Sequence, residues 1–150
     1  MNFLKRIFLL GAATALGLSS AQADHHLSVH YKGKAGPGKG KHVVLVSGDE
    51  EYRSEECLPM LGRILSDHHG FDCTVLFSVN DKGEIDPNNQ KSVTNSKAMA
   101  SADLIIIALR FRNWPDEDMK HFADAYHRGV PIIGLRTSTH AFQLRQGSYR

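Results

Sequence analysis

Four apolar runs rich in β-branched residues recur along the chain, at residues 42–47, 73–78, 103–109 and 130–135. Continuous runs of this kind are typical of parallel strands that are covered on both faces. Helical spacing of apolar residues separates the first two runs, from Ser54 to a stop at Gly70. A second helical segment, opened by Pro115 and ended by Gly129, separates the last two. The alternation predicts a three-layer α/β fold with a doubly wound, mostly parallel sheet of strand order 2-1-3-4.

Two further features follow from this pattern. Residues 79–102 are rich in turn formers, among them Asp81, Gly83 and Pro87, and they predict a long loop that ends in a short helix over residues 96–100. In the predicted strand order, residues 131–135 form an edge strand that exposes Ile132 and Ile133. Exposed apolar edges recruit other chains, so we expect that this protein can form homo-oligomers.

Residues 1–23 have the pattern of a secretory signal peptide. Lys5 and Arg6 precede an apolar run over residues 7–18, and small residues at Ala21 and Ala23 mark a cleavage site. The apolar run is too short to span about 30 Å of hydrocarbon. We therefore expect a secreted or periplasmic protein whose mature chain starts at Asp24 and keeps no stable membrane anchor after cleavage.

Residues 24–41 contain four glycines, four lysines and few apolar side chains, and this composition predicts a flexible leader. An alternative stays open for its first residues. After cleavage, His26 is the third residue, and an amine, two amides and an imidazole can enclose Cu(II) in a square plane.

The remaining residues, 42–150, are predicted to form a single domain within a chain of 150 residues. The whole chain has a formal net charge of +2, but residues 42–150 carry 12 basic and 15 acidic side chains, a net charge of −3. A slightly acidic domain lacks the excess of positive charge that binds the phosphates of a nucleic acid. The two cysteines match no zinc spacing and lie too far apart along the predicted elements to pair. The sequence therefore predicts no metal site, and no motif in it identifies a cofactor.

Ligands of open α/β sheets bind beyond the carboxyl ends of the strands. Three segments follow the first, third and fourth predicted strands, at residues 48–53, 110–112 and 136–140, and we call these three segments the rim. The predicted substrate-binding residues of the rim are Asp49, Tyr52, Arg53, Arg110, Arg136 and Thr137, and the predicted catalytic residues are Glu51 and His140.

The residue types of the rim set its chemistry. The guanidinium group of an arginine can donate two hydrogen bonds to the oxygens of a carboxylate or a polyol. A glutamate or a histidine side chain can transfer a proton. Structural roles stay open for several of them: surface ion pairing for Arg112, solvation or bonding to an arginine for Glu50 and Glu51, and packing or capping at a helix start for His140. Ser138 follows a strand, but its surroundings do not match G-x-S-x-G, and a serine there favours a helix cap over a nucleophile.

Two of these strand exits, residues 48–56 (GDEEYRSEE) and 134–142 (GLRTSTHAF), resemble the trehalose-utilisation (ThuA-like) family of the class I glutamine-amidotransferase-like superfamily. The resemblance spans residues 42–150 and implies a flavodoxin-like sheet and a role in carbohydrate metabolism. Amidotransferases place a cysteine at the position of Arg136, and a guanidinium cannot attack an amide, so glutaminase activity is excluded. Family members are longer, so we expect a chain that is truncated at its carboxyl end.

The leading hypothesis is an exported ThuA-like domain that binds or processes a sugar or an oxidised sugar derivative, a small carbohydrate-like ligand. The alternative is a non-catalytic module that binds a ligand or docks a partner through the same rim. Whether the chain is an enzyme stays open, because the resemblance places part of the family's catalytic set beyond residue 150. Copper capture by the N-terminal histidines is a third hypothesis.

Overall fold

The computed structural model describes residues 27–150. The predicted signal peptide and the proposed copper ligand His26 therefore lie outside the described residues. The strands are β1 (Val29–Tyr31), β2 (His42–Gly48), β3 (Asp72–Leu76), β4 (Leu104–Leu109) and β5 (Ile132–Gly134). The α-helices are α1 (Ser54–His69) and α2 (Asp116–His127), and two 3-10 helices cover Ser96–Ser101 and Arg136–His140.

The fold is α/β, with helices packed on a five-stranded mixed sheet of order β1-β3-β2-β4-β5. β2 pairs in parallel with β3 and β4, and β4 pairs in parallel with β5. The sheet is mixed because β1, which the hydrophobic pattern does not predict, joins β3 in the antiparallel direction. At the opposite edge, the side chain of Ile133 in β5 is exposed.

The segment that the composition predicts to be a flexible leader is ordered over its described part, which corrects that prediction. β1 pairs with β3, and the Gly33 N–H donates to the Asp72 carboxylate at 2.8 Å. A Cβ atom on Gly33 would lie 2.2 Å from the carbonyl oxygen of Gly70. Glycine is therefore needed here because two backbones touch, and it does not indicate a mobile linker.

Two apolar cores cover the two faces of the sheet. Side chains of β2 alternate between them, so that Val43 and Leu45 face one core and Val44 and Val46 face the other. α1 covers the first core, with Leu58 fully buried. α2 and the 3-10 helix Ser96–Ser101 cover the second core. β2, β3 and β4 are buried on both faces and appear in the sequence as continuous apolar runs, which is why they were predictable. β5 was predictable from its apolar run although it is an edge strand with Ile133 exposed.

The helices begin and end at residues that favour helix termini. α1 stops at Gly70, which has a left-handed φ of 81°, and α2 starts directly after Pro115 with three acidic residues in its first turn. The predicted short helix after the long loop is present as the 3-10 helix Ser96–Ser101. Within the described residues, no helix combines the length and the apolar character that a membrane span needs.

Candidate functional site

The exits of β2, β4 and β5 meet at one edge of the sheet and bring the rim segments into contact. Asp49 is fully buried, and its carboxylate accepts the Glu51 N–H at 3.0 Å and the hydroxyl of Thr137. The buried Ser54 hydroxyl accepts the N–H groups of Gly48 at 3.1 Å and Asp49 at 2.8 Å. These bonds join the exit of β2 to that of β5, so the Asp49 carboxylate orients rim backbone and is not open to solvent.

Arg112 is the buried centre of this edge, with a side-chain exposure of 0%. Its Nε donates to the Arg110 carbonyl at 2.7 Å, and its Nη1 donates to the carbonyls of Pro87 at 3.0 Å and Asn89 at 3.2 Å. Its Nη2 donates to Glu50 at 3.1 Å. Burial lowers the pKa of Arg112, and the charge of Glu50 opposes that effect. The ion pair considered for Arg112 exists, but it lies in the interior and not on the surface.

Arg110 connects the two predicted catalytic residues through its neighbours. Its guanidinium bonds to Glu50, lies 3.3 Å from the Glu51 carboxylate, and sits 4.7 Å from the ring centre of Phe111. The Phe111 ring in turn lies 4.9 Å from the His140 ring. The hydrogen bond to Glu50 is the main reason why the pKa of Arg110 is raised. Arg110 thus contacts Glu51 directly and His140 only through the Phe111 ring, and no hydrogen bond joins Glu51 to His140 in residues 27–150.

Arg136 lies over an aromatic ring at the exit of β5. Its guanidinium carbon is 3.9 Å from the ring centre of Tyr52, and both side chains are exposed. Among the described residues, Arg136 has no carboxylate partner within ion-pair distance. Arg53 differs, because it forms an ion pair with Glu56 on its own helix. Arg136 is therefore the rim arginine whose fork is available to a ligand.

Strained backbone concentrates at the rim. Four non-glycine residues between 27 and 150 have a left-handed φ, and three of them are Arg53 at 51°, Phe111 at 53° and Arg136 at 52°. Each such residue costs about 1–2 kcal/mol. Conformations of this kind persist where the surrounding structure over-determines them, and they cluster at ligand-binding and catalytic sites.

The hydroxyl of Ser138 is committed to the backbone of β4. It donates to the Ile107 carbonyl at 3.0 Å and accepts the Leu109 N–H at 3.1 Å. Both bonds fix the turn after β5 against the end of β4. Ser138 is thus a structural residue, and the helix cap expected from its sequence position is replaced by a bridge between two strand exits.

Glu50 and Arg112 belong to the rim but are not among its predicted catalytic or substrate-binding residues. Glu50 lies in the same acidic run as Glu51, and only its contacts with Arg110 and Arg112 show that it is the carboxylate at the centre of the network. In the part of the chain that the structure describes, no group of three or more His, Cys, Asp or Glu side chains could hold a metal ion.

Comparisons of the chain with protein-family models, with curated proteins and with solved structures find no match.

Proposed function

We propose that the chain is an exported ThuA-like domain with a flavodoxin-like sheet, whose rim binds a sugar or an oxidised sugar derivative and has no glutaminase activity. The observation that carries the binding proposal is the exposed guanidinium of Arg136, which lies above the Tyr52 ring and has no carboxylate partner among residues 27–150. A planar guanidinium binds a carboxylate through two parallel hydrogen bonds. An oxidised sugar offers such a carboxylate, and the aromatic ring beside it offers an apolar surface to the sugar.

Processing of the ligand would use Glu51 and His140. The Glu51 side chain is half exposed and His140 is exposed, so both can meet a molecule held by Arg136. Arg110, which contacts Glu51 and the Phe111 ring, would supply positive charge to an oxygen of the same molecule. A carboxylate and an imidazole that flank a bound carbohydrate can act as general base and general acid.

The second candidate function is a module that binds the same ligand without transforming it. The observation that favours it is the separation of Glu51 from His140, between which no hydrogen bond exists among residues 27–150. If the protein converts an oxidised sugar to a product and His140→Ala abolishes this activity, the chain is an enzyme. If the protein binds the sugar saturably but forms no product, it is a non-catalytic binding module.

Calorimetric titration with D-glucuronate tests the binding proposal. Arg136→Ala removes a charged hydrogen-bond donor, so we expect the affinity to fall by about 1.5–3 kcal/mol, tenfold or more. Arg136→Gly should bind equally poorly and unfold no more easily than the parent, because glycine adopts the left-handed φ of 52° without strain. Arg63→Ala removes an exposed arginine of α1 that pairs with Asp67, and it serves as the matched control.

Binding of D-glucuronate that is equally strong in the parent and in Arg136→Ala would refute the proposed role of the rim. A large loss of stability in Arg136→Gly would show that the arginine holds the fold and not a ligand.

A further inference from the structure

The outer side of β5 carries backbone groups without a partner. β5 is the last strand of the sheet and pairs only with β4. On the β4 side, the Pro131 carbonyl accepts an N–H of β4 at 3.0 Å, and the Leu135 N–H donates to a carbonyl of β4 at 2.9 Å. Alternate residues of a strand direct their N–H and C=O groups to opposite sides, so those of Ile132 and Gly134 face away from β4. No hydrogen bond within residues 27–150 satisfies these outward groups.

This edge lacks the features that usually protect an exposed strand, which are charged side chains, bulges and prolines. Residues 130–135 contain no charged side chain. Pro131 does not block the open side, because its C=O, and with it the position of the missing N–H, faces β4. Ile133 is 47% exposed. The other edge strand, β1, differs because Lys32 and Lys34 follow it directly.

The spacing of the free groups matches a second copy of the same strand. Two antiparallel copies of β5, related by a two-fold axis at Ile133, place Ile132 of each copy opposite Gly134 of the other. Such facing residues exchange both of their N–H···O bonds, so every outward N–H and C=O of β5 finds a partner. At the axis, Ile133 faces its own copy at a position where side chains approach closely. One step beyond the strand, Arg136 faces Val130, so no like charges oppose each other.

We propose that β5 is a dimerisation edge, which binds β5 of a second copy of this chain and joins the two sheets into one. A contact of this kind is self-complementary and uses the open β5 edge of both copies, so association stops at two chains. Because β5 contributes only residues 132–134, we expect a reversible dimer that dissociates on dilution. These residues are not part of the rim, and the dimer does not depend on the function proposed for the rim.

Sedimentation velocity of the purified protein over about a hundredfold range of concentration tests the proposal. We expect the parent to change from monomer to dimer as its concentration rises. Ile133→Lys places two positive charges opposite each other at the axis, and dimerisation should weaken about tenfold or more. Ile64→Lys is the matched control, because Ile64 on α1 is similarly exposed, at 42%, and lies outside the edge. This control should dimerise like the parent.

A mixing experiment distinguishes strand pairing at Ile133 from a variant that has merely lost its fold. Ile133→Glu alone should be as monomeric as Ile133→Lys, whereas an equimolar mixture of the two should form a heterodimer, because opposite charges then face each other at the axis. A parent that is monomeric at every concentration, a dimer that persists in Ile133→Lys, or a mixture that stays monomeric would overturn the proposal. Association of the parent beyond two copies would also overturn it.

Discussion

A buried guanidinium needs acceptors for its N–H groups, and Arg112 finds them on segments that are distant in sequence. The backbone carbonyl of Asn89 and the carboxylate of Glu50, both of which accept from its guanidinium, stand 23 and 62 residues away. The sequence shows an arginine after a strand, but it does not show which loops fold over that arginine. This is why the arginine-rich rim could be predicted whereas the burial of Arg112 could not.

Arg112→Leu should destabilise the protein by about 3–5 kcal/mol, as is typical when one partner of a buried ion pair is removed. The substitution also leaves the carbonyls of Pro87, Asn89 and Arg110 without their donor. Urea denaturation measures the change in the free energy of unfolding, with Arg63→Leu on the exposed face of α1 as the control. A loss below about 1 kcal/mol would mean that water replaces the guanidinium in this network.

At the scale of elements, the sequence pattern succeeds for strands that carry a continuous apolar run. β2, β3 and β4 carry one because both of their faces are buried, and β5 carries one although it is an edge strand with Ile133 exposed. β1 has only three residues, of which Val29 and His30 are exposed, so it carries no hydrophobic signal. What holds it is backbone pairing with β3, the His30 contact with Thr74 at 2.8 Å, and the close approach of Gly33 to Gly70.

Gly33→Ala tests whether that close approach attaches the segment to the domain. A methyl group on Gly33 would overlap the backbone of Gly70 and Phe71, which cannot move as a flexible side chain would. We expect a loss of about 1–3 kcal/mol of stability, as for other overpacked sites. Limited proteolysis should then cut residues 32–41 faster than in the parent.

Lys32→Ala is the matched control, because it removes only an exposed ion pair with Asp72. Equal cleavage of the Gly33→Ala variant and the parent would show that β1 is held by its strand pairing alone.

At the scale of the whole molecule, one sheet separates two cores, and every strand from β2 to β4 contributes to both. A disturbance of either face therefore acts on the same strands, and we expect residues 42–134 to unfold as one cooperative unit. The rim lies on loops that follow the strands β2, β4 and β5 of this sheet. Those loops carry the candidate chemistry, and their arrangement depends on long-range contacts that no local pattern encodes.

The two free cysteines provide a direct measure of that cooperativity. Cys57 is exposed on α1, whereas Cys73 is fully buried in β3, and burial raises the pKa of the Cys73 thiol. The thiolate is the reactive form, so both effects protect Cys73. A thiol reagent should label one cysteine rapidly in the native protein and the second only as the core opens.

In a Cys57→Ser background, the labelling rate of Cys73 should therefore follow the stability of the whole domain. Where opening and closing are fast, the rate follows the population of the open form. Arg112→Leu, a change beyond the carboxyl end of β4, should then accelerate labelling by about 100-fold or more if it costs 3 kcal/mol. Gly33→Ala should accelerate it by less, in proportion to its smaller loss of stability. If the labelling rate of Cys73 is unchanged by Arg112→Leu but increased by Gly33→Ala, then β1 and β3 open locally, apart from the rest of the sheet.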